Sequence, residues 1–266
     1  MERANTIIHQ WLRIPYTAHI RSDNKVKKPR ATILFIHGIG SSGGSWQKVI
    51  EAMPSDVRII TIDLIGFGNS PKPNHGVYSA KHQATSIMTM FLRLRITNRI
   101  TIVGHSLGSL VAIEIAKRYP LLVKSLVLCS PPLYRDGIKN PSKDKILRYI
   151  YKNVQKHPDK LVEFCALAIK YKLINKTFSI TDNDVHAFMW ALEAAIINQT
   201  SLADAEQLKI PVQIIRGRLD PVVVPKNLRY LAKQNENVTL HEITAGHEVR
   251  GKYAHIAVKT ILASIA

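Results

Sequence analysis

The chain has 266 residues, 46% hydrophobic and 21% charged, a size and apolar content that suit one domain carrying an insertion. Thirty-seven basic residues stand against 19 acidic ones, a net charge of +18. No run approaches the roughly 18 apolar residues of a membrane span, so stable membrane insertion is not expected. The charged start, Met1-Glu2-Arg3-Ala4-Asn5-Thr6, has no apolar core behind it, and no secretory leader is expected there. Cys129 and Cys165, the two cysteines, form no disulfide framework; both lie in apolar runs that predict buried thiols and a reducing, cytoplasmic setting.

In chain order, residues 6–14 and 16–21 read as short strands bent at Pro15, followed by a polar linker over 22–30. An alternating pattern then begins: strand 32–36, helix 46–53, strand 57–62, and a helix between 79 and 96. In that helix Ala84, Ile87, Met88, Phe91 and Leu92 recur at helical spacing. Strand 100–103, a helix from Ser109 to Tyr119 and strand 125–129 follow. Strands alternating with helices over this length predict a mostly parallel sheet covered on both faces.

The alternation lapses over 130–208, where helical stretches fall at 145–154, 160–173 and 182–198. Thr181 and Asp184 resemble a capping pair for the third. That helix has one apolar stripe (Val185, Phe188, Met189, Leu192, Ile196) and a second of Trp190, Ala194 and Ile197, so it must be covered on two sides. Trp190 on the second stripe is a candidate pocket residue. Between Arg135 and Lys176 eleven basic residues face four acidic ones. The lysines alternate with apolar helix positions as on a solvated face, and no nucleic-acid-binding motif is present, so no nucleic-acid partner is expected. The sheet pattern resumes with strand 211–215, a helix near 226–234, strand 238–243 and a closing helix over 253–265.

The chemistry concentrates where strand 100–103 meets its helix through Gly104-His105-Ser106-Leu107-Gly108. A strand–Gly-x-Ser-x-Gly–helix turn is a nucleophile elbow: it lifts the serine hydroxyl clear of the sheet and aims the amide of Leu107 at a reacting carbonyl oxygen. A serine needs a base, and the base an orienting acid. Asp220 follows strand 211–215 and His247 follows strand 238–243, both at carboxyl strand ends, where catalytic groups of open α/β sheets collect. His37, beside Gly38 at another strand end, reads as a brace for its loop. His105 must point away from Ser106, His241 lies in a strand and His255 in the closing helix. Asp63 precedes Ser106 and reads as an anchor for the Gly66/Gly68 loop; Asp136 lies six residues beyond Ser130. For a second oxyanion donor, His37-Gly38-Ile39-Gly40 supplies a loop at the right strand end, with the amide of Ile39 paired to that of Leu107.

These motifs in this order strongly resemble the α/β-hydrolase superfamily, and within it capped serine hydrolases with a His-Gly-x-Gly oxyanion loop. The resemblance rests on His37–Gly40, Asp63–Ser70, Gly104–Gly108 and the Asp220/His247 pair. It implies an α/β-hydrolase fold, a mostly parallel central sheet flanked by helices, with the core at 1–130 and 209–266 and a helical cap at 131–208, inserted after the strand ending near Cys129. It implies Ser106 as nucleophile, His247 as base and Asp220 as orienting acid, with no metal and no organic cofactor. Gly38, Trp46 and Trp190 are the expected pocket residues. Relatives with aspartate at the elbow are dehalogenases or epoxide hydrolases, against which Ser106 argues. The segment 40–46 is distantly similar to the loop of carbon–carbon bond hydrolases but has Ser41-Ser42-Gly43-Gly44 at its centre. The expected activity is cleavage of small or medium acyl esters or lactones. A carbon–carbon hydrolase or perhydrolase using the same triad is the second reading, and a ligand-binding sensor on the same fold the third.

Overall fold

A computed structural model describes residues 9, 11, 14–74, 78–135, 156–157, 160, 162–163 and 182–266. Seven strands form one sheet: β1 (His19–Asp23), β2 (Ala31–Ile36), β3 (Val57–Asp63), β4 (Ile100–His105), β5 (Val123–Cys129), β6 (Val212–Gly217) and β7 (Val238–Ile243), in the order β1-β3-β2-β4-β5-β6-β7. Only β1 is antiparallel, pairing with β3 at one edge; every other pairing is parallel. The inner strands are continuous apolar, β-branched runs because a parallel sheet is buried on both faces. Thus Ala31–Ile36 and Ile100–His105 are buried almost throughout.

Side chains alternate between the two faces, as the two-residue strand period requires. Leu34, Ile36, Ile60, Ile62, Ile102 and Leu126 pack with the helices Ala80–Arg93 and Leu107–Arg118. On the other face Ile33, Phe35, Val103, Val127 and Ile215 pack with Tyr253, Ala257 and Ile261 of the closing helix Lys252–Ile265. Among the described residues no helix is long and apolar enough to cross a membrane.

The expected strand 16–21 forms as His19–Asp23, drawn further along the chain by Asp23, whose carboxylate holds Arg58 of β3 at 2.7 Å. The helix expected over 46–53 is a 3-10 turn, Gly43–Trp46, running into the short helix Gln47–Ile50. The helix expected over 182–198 is α-helical only as Asp182–Ala191 and continues as π-helix over Leu192–Ile197. There Gln199 Nε2 donates to Ile196 O and to Pro132 O, each at 2.8 Å, tying the helix end to the chain leaving β5. Most of the expected strand 6–14, the helices at 145–154 and 160–173, the Thr181 cap, Asp136, Cys165 and most of the basic stretch 135–176 lie outside the described residues.

From β2 the chain passes to β3 on one side and resumes at β4 on the other. Loops leaving β2 and β4 therefore diverge, and the crevice between them opens at the carboxyl ends of the strands, where ligands of open α/β sheets bind.

Candidate active site

The elbow is built by backbone contact. A Cβ on Gly104 would collide with the carbonyl of Gly108, and one on Gly108 would collide with the carbonyl of Ile36. Only glycine lets β4, its helix and β2 approach so closely. Between them Ser106 has φ 50° and ψ −116°, a sparsely populated conformation that costs about 1–3 kcal/mol. Its amide donates to Cys129 O at 2.9 Å, its carbonyl accepts from Ser109 N at 2.9 Å, and Ser109 Oγ donates to Gly104 O at 2.9 Å. The helix begins at Leu107, two residues before the expected start, because the elbow hands the chain straight into it. First-turn amides have no partner inside their helix and carry its positive end, so the Leu107 amide is an available anion donor.

Gly38 lies against the serine: a Cβ there would be 3.3 Å from Ser106 Cβ and 3.0 Å from His105 Nδ1. The loop it opens is braced by His37. His37 Nδ1 donates to Gly38 O at 2.7 Å while Nε2 accepts from Leu64 N at 2.9 Å, so the ring is neutral with its proton on Nδ1. Full burial pushes the imidazole down to about 4, although the Gly38 carbonyl and Asp63 oppose the shift. Asp63 is the loop anchor that its position suggested. Its oxygens accept from Gly43 N at 2.8 Å and Asn69 N at 2.9 Å, and Arg21 stands 3.4 Å away.

His37 makes stability sensitive to acid. Its pKa falls from 6.5 in the unfolded chain to about 4 in the fold, so the unfolded state binds the extra proton between those values. The contribution is complete above pH 6.5 and is lost as pH falls through about 4, a loss of about 3 kcal/mol. Burial lowers His82 and His105 in the same sense. Urea denaturation at pH 7 and pH 4.5 should therefore show a marked drop in midpoint, shallower in His37→Gln even though that variant starts less stable. An equal drop in both would assign the acid sensitivity to other groups.

Asp220 and His247 meet across the ends of β6 and β7. Asp220 Oδ2 accepts from His247 Nδ1 at 2.8 Å, and Asp220 Oδ1 accepts from the amides of Val222 at 2.9 Å and Val223 at 3.2 Å. The carboxylate is fully buried, whereas the His247 side chain is 20% exposed. Burial alone would raise the carboxyl, but hydrogen bonds from His247, the Val222 amide and Ser130, with the His247 charge, outweigh it and hold Asp220 below the usual range. The two loops lie backbone on backbone: a Cβ on Gly217 would collide with the carbonyls of Ala245 and Gly246, and Leu219 N donates to Ala245 O at 3.0 Å. Among the described residues no hydrogen bond joins Ser106 Oγ to the His247 ring; such nucleophile–base bonds often close only when substrate arrives.

Of the expected pocket residues, Gly38 borders Ser106, and Trp46 lies in the core on the other sheet face. Trp46 is 1% exposed and packs on Phe35, ring centroids 5.2 Å apart, in the cluster beneath the closing helix. It borders a cleft of about 10 Å³ with Ser45, His105, Glu248 and Val249. A tryptophan ending a single 3-10 turn has too little periodicity around it to show which sheet face it joins. Trp190 is half-buried, its ring 3.7 Å from that of His186 and 5.9 Å from that of Tyr78. Its helix rests on the loop after β3: a Cβ on Gly66 would meet Tyr78 at 2.6 Å and Ala187 at 3.0 Å, and Lys72 pairs with Asp184 at 2.6 Å.

A mostly parallel sheet with a strained serine at its central strand–helix elbow and an Asp–His pair at the neighbouring strand ends defines the α/β-hydrolase architecture. The chain belongs to the alpha/beta hydrolase fold family, whose model matches residues 31–249. Among curated relatives, the probable lysophospholipase BODYGUARD 3 of Arabidopsis thaliana is 30% identical over 177 residues, 64% of this chain and 34% of that protein. The matches to the first such relatives span about a quarter to a third of their length. Two solved structures share the fold across nearly all of the chain. A thermophilic esterase from Thermogutta terrifontis has TM-score 0.71 and 21% identity, covering 92% of both chains. The enol-lactonase from Burkholderia xenovorans LB400 has TM-score 0.70 and 20% identity, covering 93% of this chain and 95% of the other.

Proposed function

We propose that the chain is a serine hydrolase cleaving carboxylic esters, with small or medium acyl esters or lactones as substrates. The observation that carries this is the buried Asp220–His247 hydrogen bond of 2.8 Å, at the sheet end where the elbow presents Ser106. Ser106 attacks the carbonyl, His247 takes its proton and returns it to the leaving alcohol, and Asp220 orients His247 and stabilises its cation. The amides of Ile39 and Leu107 hold the oxyanion, a role that Gly38 supports by letting the loop come against the serine. Lysophospholipases, esterases and lactonases, as which the similar proteins are described, are each named for splitting an ester linkage. Water then releases the acyl group by the same proton relay.

Residues 131–208 form the lid in this reading and select the acyl or alcohol part. The helix Asp182–Ala191, seated on the Gly66 loop beside the crevice, supports that assignment. Fluorophosphonate labelling of Ser106, followed by turnover on p-nitrophenyl esters of increasing acyl length, tests the proposal. Labelling with turnover on short and medium esters is expected; binding without turnover would point to a ligand sensor instead. In the same panel Trp190→Ala should shift the preferred acyl length more than it lowers the melting temperature. A large thermal loss with unchanged preference would make Trp190 a packing residue only.

A further inference from the structure

Beneath the Asp220–His247 pair lies a buried polar group that the triad chemistry does not use. His105, 8% exposed, has its Nε2 at 3.0 Å from the main-chain carbonyl of His247. Its ring centroid is 5.0 Å from that of His247. Ser130 is fully buried just past β5 and holds φ 50°, a conformation L-residues seldom adopt. Its Oγ lies 3.0 Å from the same His247 carbonyl and 3.2 Å from Tyr253 Oη. Tyr253 Oη donates its proton to Ile215 O at 2.6 Å.

Counting protons resolves the group. Tyr253 spends its hydroxyl proton on Ile215, and Ser130 donates its one proton to the His247 carbonyl. A carbonyl cannot donate, so the proton of the second bond must come from His105, in the tautomer protonated on Nε2. Burial lowers the His105 pKa, against the pull of Glu248. Backbone contacts with Gly217 and Leu219 hold the loop at Ala245 and Gly246, and the two donors hold it at His247 itself.

We infer that His105 and Ser130 are positioning residues that fix the loop bearing His247 by donating to its main-chain carbonyl. The inference rests on the triad reading above. Its chemical content is that one end of the proton relay is held from the elbow itself: the residue before the nucleophile anchors the residue that activates it. A misplacement of about 1 Å at the base can cost about a hundredfold in rate.

The test is the second-order rate at which a fluorophosphonate labels Ser106, with kcat and KM on p-nitrophenyl acetate. His105→Leu should slow labelling and lower kcat about tenfold with KM unchanged, the size expected for one lost hydrogen bond at the base. His105→Gln, whose amide N–H can reach the carbonyl, should recover most of that loss. Ser130→Ala should lose a few-fold, and His105→Leu with Ser130→Ala more than the product of the two, because the donor left in each single variant still holds the loop in part. Equal losses in His105→Leu and His105→Gln, or no loss in either, would overturn the inference. Should His105→Leu fail to fold, His105→Gln and its double with Ser130→Ala decide: the introduced amide should keep His105→Gln near the wild-type rate and hold the double to the few-fold loss of Ser130→Ala, and a tenfold loss in His105→Gln alone would overturn the inference. Wild-type protein whose Ser106 resists labelling would overturn the triad reading and this inference together, whereas normal labelling in every variant would overturn this inference alone.

Discussion

Ser106→Ala and His247→Ala should each lower ester turnover by about 10⁴- to 10⁶-fold, and the double substitution should cost scarcely more than either alone. The nucleophile and its base act as one unit, so removing either leaves only oxyanion and binding contributions behind. The geometry motivates the expectation: Ser106 is held at φ 50° by an elbow that serves no evident folding purpose, and His247 is the partly exposed end of an otherwise buried pair. Initial rates on p-nitrophenyl acetate, with melting temperatures to confirm folding, check it. Turnover surviving in Ser106→Ala would remove the serine mechanism, and additive losses would mean that the two residues work separately.

Asp220→Asn should cost about 10⁴-fold in rate, by analogy with the corresponding change in a serine protease. An amide in place of the carboxylate can turn its N–H₂ toward His247 and impose the wrong tautomer, and it gives no charge to balance the imidazolium. The fold should survive, because the asparagine oxygen can still accept from the Val222 and Val223 amides, which stand 2.9 and 3.2 Å from Oδ1. Asp63→Asn is the informative contrast. Asp63 accepts from Gly43 and Asn69 and faces Arg21, so its loss should act first on thermal stability. A folded but inert Asp63→Asn beside an active Asp220→Asn would reverse the assignment.

Much of this arrangement is legible in the sequence because its physical causes are local. The parallel strands are continuous apolar runs, and the elbow is a five-residue pattern whose glycines are dictated by neighbouring backbones too close to admit a Cβ. Asp220 and His247 are readable because each lies a few residues past such a run. What escapes the sequence is non-local. His105 reaches a carbonyl 142 residues away, and Ser130 one 117 residues away. Neither has any composition, spacing or periodicity to announce its partner, and a positive φ at a serine leaves no mark in the sequence. Which sheet face Trp46 joins is likewise not legible, because it packs with Phe35 and with the closing helix Lys252–Ile265, far along the chain. The contact of Gln199 with Pro132, just past the π-helix that follows Ala191, is again one that no periodicity encodes.

The thiol of Cys129, at the end of β5, has a consequence for how the protein can be handled. It is fully buried and burial pushes it up to about 12, so at neutral pH almost none of it is thiolate, the form that maleimides, iodoacetamide and peroxide attack. The chain has one other cysteine, Cys165. Thiol-directed reagents are therefore expected to leave Cys129 unmodified while the protein is folded and to reach it only once β5 is unpacked by denaturant.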